Sequence, residues 1–398
     1  MTAPQIDRAR LSRRGVITAA LAAGLTVPFG LPGRAGATAA AGPPRPVLPA
    51  PTGPFPVGTV PLHLVDRSRP DPLTGPPHHR ELMASVWYPA RDAARHPRAQ
   101  WLPDASLNAL LTQNGFPPDV VSTPFTAGRL GAPVRRSGER LPVVVFSHGA
   151  HGHRFEYTTV VQELASHGYA VVTVDHTYDA FTGFPDGRIL EPLRDGDFFL
   201  GARDFADDIP FVLDCIEDLA AGRNPDADHR PLPAGLRGAL DPRRIGMFGW
   251  SKGATATAWT MLADRRVRAG LAIDAPMEPR VEADLDRPFM LMTAEFTRAE
   301  EPVAQCWSHL KGWRLNIQAD GASHRSYCDY EVLMPQLAAV VGMSDEELLG
   351  WIGPLDPSRG LRIQQAYPLA FFDQHLRHRR QRLLDGPSRA FPEVRFIP

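Results

Sequence analysis

One serine in this chain sits in a setting built for nucleophilic chemistry. Arg244 to Thr257 reads R-I-G-M-F-G-W-S-K-G-A-T-A-T, with Gly249, Trp250, Ser251, Lys252 and Gly253 forming G-x-S-x-G. Ile245 to Phe248 is a short apolar run that suits a buried strand, and Ala254, Ala256 and Ala258 suit a helix packed closely on a sheet. A serine on a sharp strand-to-helix turn occupies strained backbone. Side chains two residues before and two after would collide across the turn, so both positions favour glycine. The helix that follows turns free N–H groups and a positive dipole end toward the serine oxygen.

Serine is a weak nucleophile at neutral pH and needs a positioned base. In the α/β-hydrolase order, the serine is followed along the chain by an acid and then a histidine. His309, His324, His375 and His378 lie downstream of Ser251. His309 falls in a helical segment, and His375 and His378 fall at a basic helix end. His324 alone follows a strand directly, in N-I-Q-A-D-G-A-S-H, and is the expected base. By position, Asp274 (after L-A-I) and Glu295 (after L-M-T-A) are equal candidates for the acid. Asp284 and Asp286 precede a strand and belong at the wrong end of a sheet. The oxyanion needs two backbone donors. They are expected at Lys252, next to the nucleophile, and at Ala150, in the S-H-G-A-H-G loop after the Leu141 to Phe146 strand. The Lys252 side chain is expected in solvent. His148 is expected to prop the loop; His148, His151 and His153 lack the carboxylate neighbours of a metal site, so neither metal nor cofactor is expected.

These residues require a scaffold, and the rest of the sequence supplies one. Leu141 to Phe146, a helix over Glu156 to Ser166, and Tyr169 to Val174 form a β-α-β crossover with parallel pairing. Gly201 to Ala221 places Phe205, Ile209, Val212, Leu213, Ile216 and Leu219 on one helical face. Ala269 to Ile273, Phe289 to Thr293 and Trp313 to Gln318 read as further strands. A helix near Ser344 carries a Ser344…Glu347 capping box, and a last helix ends near Leu376. Thr59 to Val65 and Glu81 to Tyr88 read as an antiparallel edge hairpin, with His78 and His79 in its solvated loop. Trp101 to Arg140 has no strong periodicity and is expected as an excursion bordering the mouth of the site. The fold class is α/β: one α/β-hydrolase domain with a doubly wound, mostly parallel sheet.

Residues 1–37 read as a twin-arginine signal, with Ser12-Arg13-Arg14-Gly15-Val16-Ile17, an apolar run to Leu31 and Ala35-Gly36-Ala37 as a cleavage site. The expected route is export in the folded state by the twin-arginine machinery, giving a secreted protein. Residues 38–57 form a proline-rich linker, and 58–398 the catalytic domain. The chain has 398 residues, is 43% hydrophobic and carries a formal net charge of −1, a balance that argues against nucleic acid as a partner. Cys215, Cys306 and Cys328 make neither a disulfide framework nor a zinc pattern; one disulfide with a free thiol, or three free thiols, both fit.

At these residues the chain resembles the secreted, plasma-type platelet-activating factor acetylhydrolases and their bacterial relatives. The resemblance runs through S-V-W-Y-P (Ser85 to Pro89), V-V-F-S-H-G and L-A-S-H-G-Y-A-V-V-T-V-D-H (Val144 to His176), R-D-F-A-D-D-I-P-F-V-L-D (Arg203 to Asp214), the serine turn, A-I-D-A-P-M and G-A-S-H. It implies that the acid follows the strand after the elbow, which selects Asp274. It also implies metal-free hydrolysis of carboxylic esters, notably short acyl groups at the sn-2 position of phospholipids, and transient contact with a lipid surface. The turn reads G-W-S-K-G-A where the family more often has G-H-S-x-G-G. A lipase or cutinase-like polyesterase, or a secreted acyltransferase, would use the same catalytic residues.

Overall fold

The computed structural model describes residues 42–136, 138–194 and 198–398, and Gly42–Pro398 form one compact unit. The expected signal, and residues 38–41 of the expected linker, lie outside the described residues.

The elements in chain order are β1 (Val57–Pro70), β2 (His79–Pro89), β3 (Arg98–Gln100), α1 (Asp104–Gln113), β4 (Phe125–Leu130), β5 (Leu141–Ser147), α2 (Thr158–Ser166) and β6 (Ala170–Asp175). A two-stranded ribbon, β7 (Thr182–Gly183) and β8 (Ile189–Leu190), precedes α3 (Ala202–Ala220). Then come β9 (Leu240–Trp250), α4 (Lys252–Ala263), β10 (Val267–Ile273), β11 (Phe289–Thr293), α5 (Glu301–His309) and β12 (Arg314–Ala319). The chain closes with α6 (Tyr330–Val341), α7 (Asp345–Ile352), α8 (Pro357–Leu376) and β13 (Val394–Phe396).

One large sheet has the order β13-β12-β11-β10-β9-β5-β6-β2-β1-β4-β3. From β12 through β6 every pairing is parallel, so all these strands end on the same side. β2 joins β6 antiparallel, and β1 joins β2 antiparallel. The hairpin is thus antiparallel as expected, but β4 and β3 add two strands outside it. The Trp101 to Arg140 segment supplies α1 and β4 rather than a loose excursion. Its pattern is hard to read because β4 pairs with β1 through two residue positions only. β13 at the opposite edge is likewise too short to leave a periodic signal.

Alternation along the central strands fills two cores. Val144, Phe146 and Phe248 face α2 and α8, whereas Val143, Val145, Ile245 and Met247 face α3 and α4. Fully burying such a side chain contributes about 1.5–3 kcal/mol, so a residue slip in β5 would exchange both faces. The α3 face is buried as its spacing predicts, and Ser344 caps α7 through Glu347 in the expected reciprocal box. The proline-rich stretch from residue 42 runs extended over the domain. Leu48 is buried, Thr52 N–H donates to Glu163 Oε2 (2.7 Å), and Val47 exchanges hydrogen bonds with the Gln336 amide. All three cysteines are free and buried. No helix among the described residues is long and apolar enough to cross a membrane.

Candidate active site

β9 runs straight into the serine turn. Ser251 has φ 52° and ψ −115°, a backbone region that L-residues rarely occupy. Its N–H donates to Ile273 O at the end of β10 (3.0 Å), and its carbonyl accepts from Ala254 and Thr255, opening α4. The glycines are required sterically. A Cβ at Gly249 would lie 2.2 Å from Gly253 O, and one at Gly253 would lie 2.2 Å from Ser147 O. Lys252 N–H is the first of α4, and helix geometry leaves it without an intrahelical acceptor.

Ala150 sits, exposed, in a tight turn closed by Gly152 N–H donating to Gly149 O (3.3 Å). Gly149 is pressed against the elbow: a Cβ there would lie 2.4 Å from the Trp250 ring. His148 props this loop as expected. Its Nδ1 lies 2.6 Å from Gly149 O, and its Nε2 accepts from His176 N–H (3.0 Å), which assigns the proton to Nδ1. Burial and the neighbouring His176 push its pKa well down, so it stays neutral. His153 is buried against Trp101 and is pushed down to about 3 by burial and by Arg154.

His324 and Asp274 meet, although fifty positions separate them. Imidazole Nδ1 lies 2.6 Å from Asp274 Oδ2. Asp274 is fully buried at the end of β10 with φ 42°. Its Oδ1 accepts from Ala294 N–H (2.7 Å) and Phe296 N–H (2.9 Å), which aims Oδ2 at the imidazole. Glu295, the positional rival, does not touch the ring; its Oε1 accepts from His324 N–H (2.9 Å) and so holds the loop backbone. Sequence reasoning assigned no role to Trp250 and Phe296. The Trp250 ring lies 4.7 Å from that of His324 and tilted 33°, and its indole N–H donates to His324 O (2.9 Å). The Phe296 ring meets His324 edge-on at 5.3 Å. Trp250 was detectable as the unusual residue inside G-x-S-x-G.

The Lys252 side chain is not in solvent. It is 9% exposed, and Nζ donates to Asp179 Oδ2 (2.5 Å) and Leu200 O (2.6 Å). Two acceptors, one of them a carboxylate, and the Phe199 and Phe205 rings beside the ammonium take the place of water.

The sequence profile of "Platelet-activating factor acetylhydrolase, isoform II" matches residues 41–182 and 206–385. The chain belongs to that family. A relative from Arthroderma benhamiae, named a probable 1-alkyl-2-acetylglycerophosphocholine esterase, is 26% identical over 88% of this chain and 94% of its own length. The platelet-activating factor acetylhydrolase of Canis lupus familiaris is 25% identical over 61% of this chain, which spans 58% of that relative. Among solved structures, a ferulic acid esterase from Streptomyces cinnamoneus superposes with a TM-score of 0.74 at 33% identity, covering 90% of this chain and all of that one. This family member is a carboxylic ester hydrolase with an α/β-hydrolase fold.

Proposed function

We propose that Ser251, His324 and Asp274 form a catalytic triad working through an acyl-enzyme. The observation that carries this reading is the 2.6 Å contact between His324 Nδ1 and Asp274 Oδ2, with the imidazole packed on the ring of Trp250, the residue preceding the strained serine. His324 Nε2 removes the Ser251 hydroxyl proton as Oγ attacks the acyl carbonyl carbon. The Lys252 and Ala150 amides hold the resulting oxyanion. Collapse breaks the bond to the alcohol, which leaves with the proton from His324. Water, deprotonated by His324, then attacks the acyl-enzyme; the acid departs and Ser251 regains its proton. Asp274 fixes the tautomer and stabilises the imidazolium.

The substrates proposed are small-molecule or lipid esters with a short acyl group, including phospholipid sn-2 esters, in keeping with the names of the curated relatives. A second reading, an aromatic acyl ester such as a ferulate, is favoured by the 33% identity to the ferulic acid esterase. The partly exposed Phe296 ring, edge-on to His324, offers apolar surface to an aromatic acyl group. Hydrolysis of p-nitrophenyl esters from acetyl to palmitoyl, alongside methyl ferulate and 1-alkyl-2-acetylglycerophosphocholine, tests both, with Ser251→Ala as control. Preference for acetyl and propionyl esters supports the first reading, and preference for methyl ferulate supports the second. Best turnover on octanoyl or longer chains points to a lipase or polyesterase. A higher rate to an added alcohol than to water points to an acyltransferase.

We also propose that residues 1–37 direct twin-arginine export, that the mature protein is secreted, and that its residues 38–57 are a linker leading into catalytic residues 58–398. The support is the Ser12-Arg13-Arg14 pattern with its apolar run. Replacing Arg13 and Arg14 by lysine and assaying culture supernatant tests it; undiminished export would overturn it.

A further inference from the structure

Lys252 and Asp179 lie outside the triad, yet they link its two proposed oxyanion donors. The pair is deeply buried, with side chains 9% and 4% exposed. Asp179 Oδ2 accepts from Lys252 Nζ (2.5 Å), and Asp179 Oδ1 accepts from the backbone N–H of His151 (2.6 Å). One carboxylate therefore reaches both segments that frame the oxyanion. Lys252 is the residue directly after Ser251, and His151 is the residue directly after Ala150.

Both segments hold strained backbone that needs such a tether. His151 has φ 57° and Ser251 has φ 52°. A non-glycine residue keeps a left-handed conformation only where surrounding contacts over-determine it. At His151 the contact is the N–H directed at Asp179. Asp179 is seated in turn by its own N–H, which donates to His176 O (2.9 Å) beyond β6. The third anchor is Leu200 O, which accepts from Lys252 Nζ (2.6 Å) and ties the entrance of α3 to the elbow. The Phe199 and Phe205 rings stand 4.6 and 5.1 Å from the ammonium. Water screens a buried pair little, so its geometry is stiff.

We infer that Asp179 and the Lys252 side chain are positioning residues that set the spacing of the two oxyanion-hole amides. The inference rests on the triad reading above. Neither side chain touches the reacting atoms; each acts through the backbone of its neighbour. Such a bridge can act on both amides because they belong to different segments, one in a loop after β5 and one at the start of α4. Backbone pairing between β5 and β9 fixes the strands, ending at Ser147↔Gly249. Beyond that point Gly149 packs on the Trp250 ring, and the Asp179–Lys252 link adds a charged hydrogen-bonded tether between the two segments.

The test uses Asp179→Asn, Lys252→Met, Lys252→Arg and the double variant Lys252→Met/Asp179→Asn, with Ser251→Ala in parallel. The double variant removes both charges together, which guards against misfolding caused by one uncompensated charge. Melting temperature, KM and kcat on a p-nitrophenyl ester are measured, together with inhibition by a trifluoromethyl ketone, whose hemiketal oxyanion needs the same two amides. Loss of one oxyanion donor costs about 10²–10³ in kcat, and a displaced donor is expected to cost about 10–100-fold. KM should stay within about threefold, and the ketone should weaken by the same factor as kcat/KM. The double variant should be no worse than the poorer single, because the pair acts as one unit, and Lys252→Arg should recover part of the loss. A folded Asp179→Asn with wild-type kcat would overturn the inference. So would a kcat loss that leaves ketone affinity unchanged, or losses that multiply in the double variant. Failure of the underlying reading is distinguishable: undiminished turnover in Ser251→Ala sinks the triad and the bridge together, whereas an inactive Ser251→Ala beside a fully active Asp179→Asn sinks the bridge alone.

Discussion

Ser147, His176 and Asp208 stand in the same hydrogen-bond order as a serine-hydrolase triad, beneath the elbow that carries Ser251. Ser147 Oγ lies 2.8 Å from His176 Nε2, and His176 Nδ1 lies 2.9 Å from Asp208 Oδ2. All three are buried. Ser147 ends β5 in ordinary strand pairing with Gly249 and Val174, whereas Ser251 occupies the strained turn at the start of a helix. The carboxylates differ as well. Asp208 also accepts from Arg80 Nε (3.0 Å), Arg80 Nη2 (2.7 Å) and Arg69 Nη2 (2.8 Å). Burial alone would raise its pKa, but Arg80 and His176 hold it well below the usual carboxylate range. Burial keeps the His176 pKa low despite Asp208. With two guanidinium groups already neutralising Asp208, little charge is left to favour an imidazolium. Asp274 is instead held by amide N–H groups and turns its free oxygen to His324. Hydrogen-bond order alone does not make a triad. The two arrays differ in exposure, in backbone strain at the serine and in what else the carboxylate holds.

The largest expected contrast is between the serines. Ser251→Ala should lower kcat by about 10⁴-fold or more, while Ser147→Ala should leave kcat within about threefold and cost about 1–3 kcal/mol of stability through the stranded His176 nitrogen. Steady-state kinetics and denaturant unfolding of both variants separate the two; equal kinetic losses would erase the distinction.

The acids should differ next. Asp274→Asn is expected to drop kcat by about 10⁴. Asp208→Asn should act chiefly on folding, at about 3–5 kcal/mol, because Arg80 would be left buried without its charge partner. Glu295→Gln keeps an acceptor for His324 N–H and should cost less than about tenfold. A larger kinetic loss from Glu295→Gln than from Asp274→Asn would exchange the roles of those two residues.

The smallest effect concerns buried titration away from both arrays. Burial pushes the Glu331 carboxyl up to about 9, so the folded state keeps a proton that the unfolded chain gives up near the ordinary value of 4.5. The native state then binds more protons between those values, and this group's stabilisation is lost as pH rises through that window. Glu331→Gln should therefore raise the melting temperature at pH 8 relative to the parent protein and change it little near pH 4.5. His153 works oppositely: neutral and buried, it stabilises the fold less as pH falls from about 6.5 toward about 3. Melting curves across pH 4–9 check both directions; an unchanged difference between Glu331→Gln and parent at pH 5 and pH 8 would contradict the buried-acid assignment.

The sequence by itself determined the serine turn, because glycine is sterically required on both sides of a strained residue and that requirement is local. It determined the central strands and their covering helices, because burial on two faces leaves continuous apolar runs and a 3.6-residue period. It singled out His324, the downstream histidine that follows a strand directly. It did not separate Asp274 from Glu295 by position, since both end strands on the same side of the sheet. Only the tertiary structure decided that the Asp274 side chain meets the imidazole while Glu295 meets the backbone. It alone revealed β4 and β13, whose pairing spans too few residues to leave a pattern, and the burial of Lys252. A lysine's usual preference for water is overridden when residues far along the chain, here Asp179 and Leu200, bring acceptors to its ammonium. Local sterics and periodicity are written in neighbouring residues, whereas charge partners are chosen by the fold.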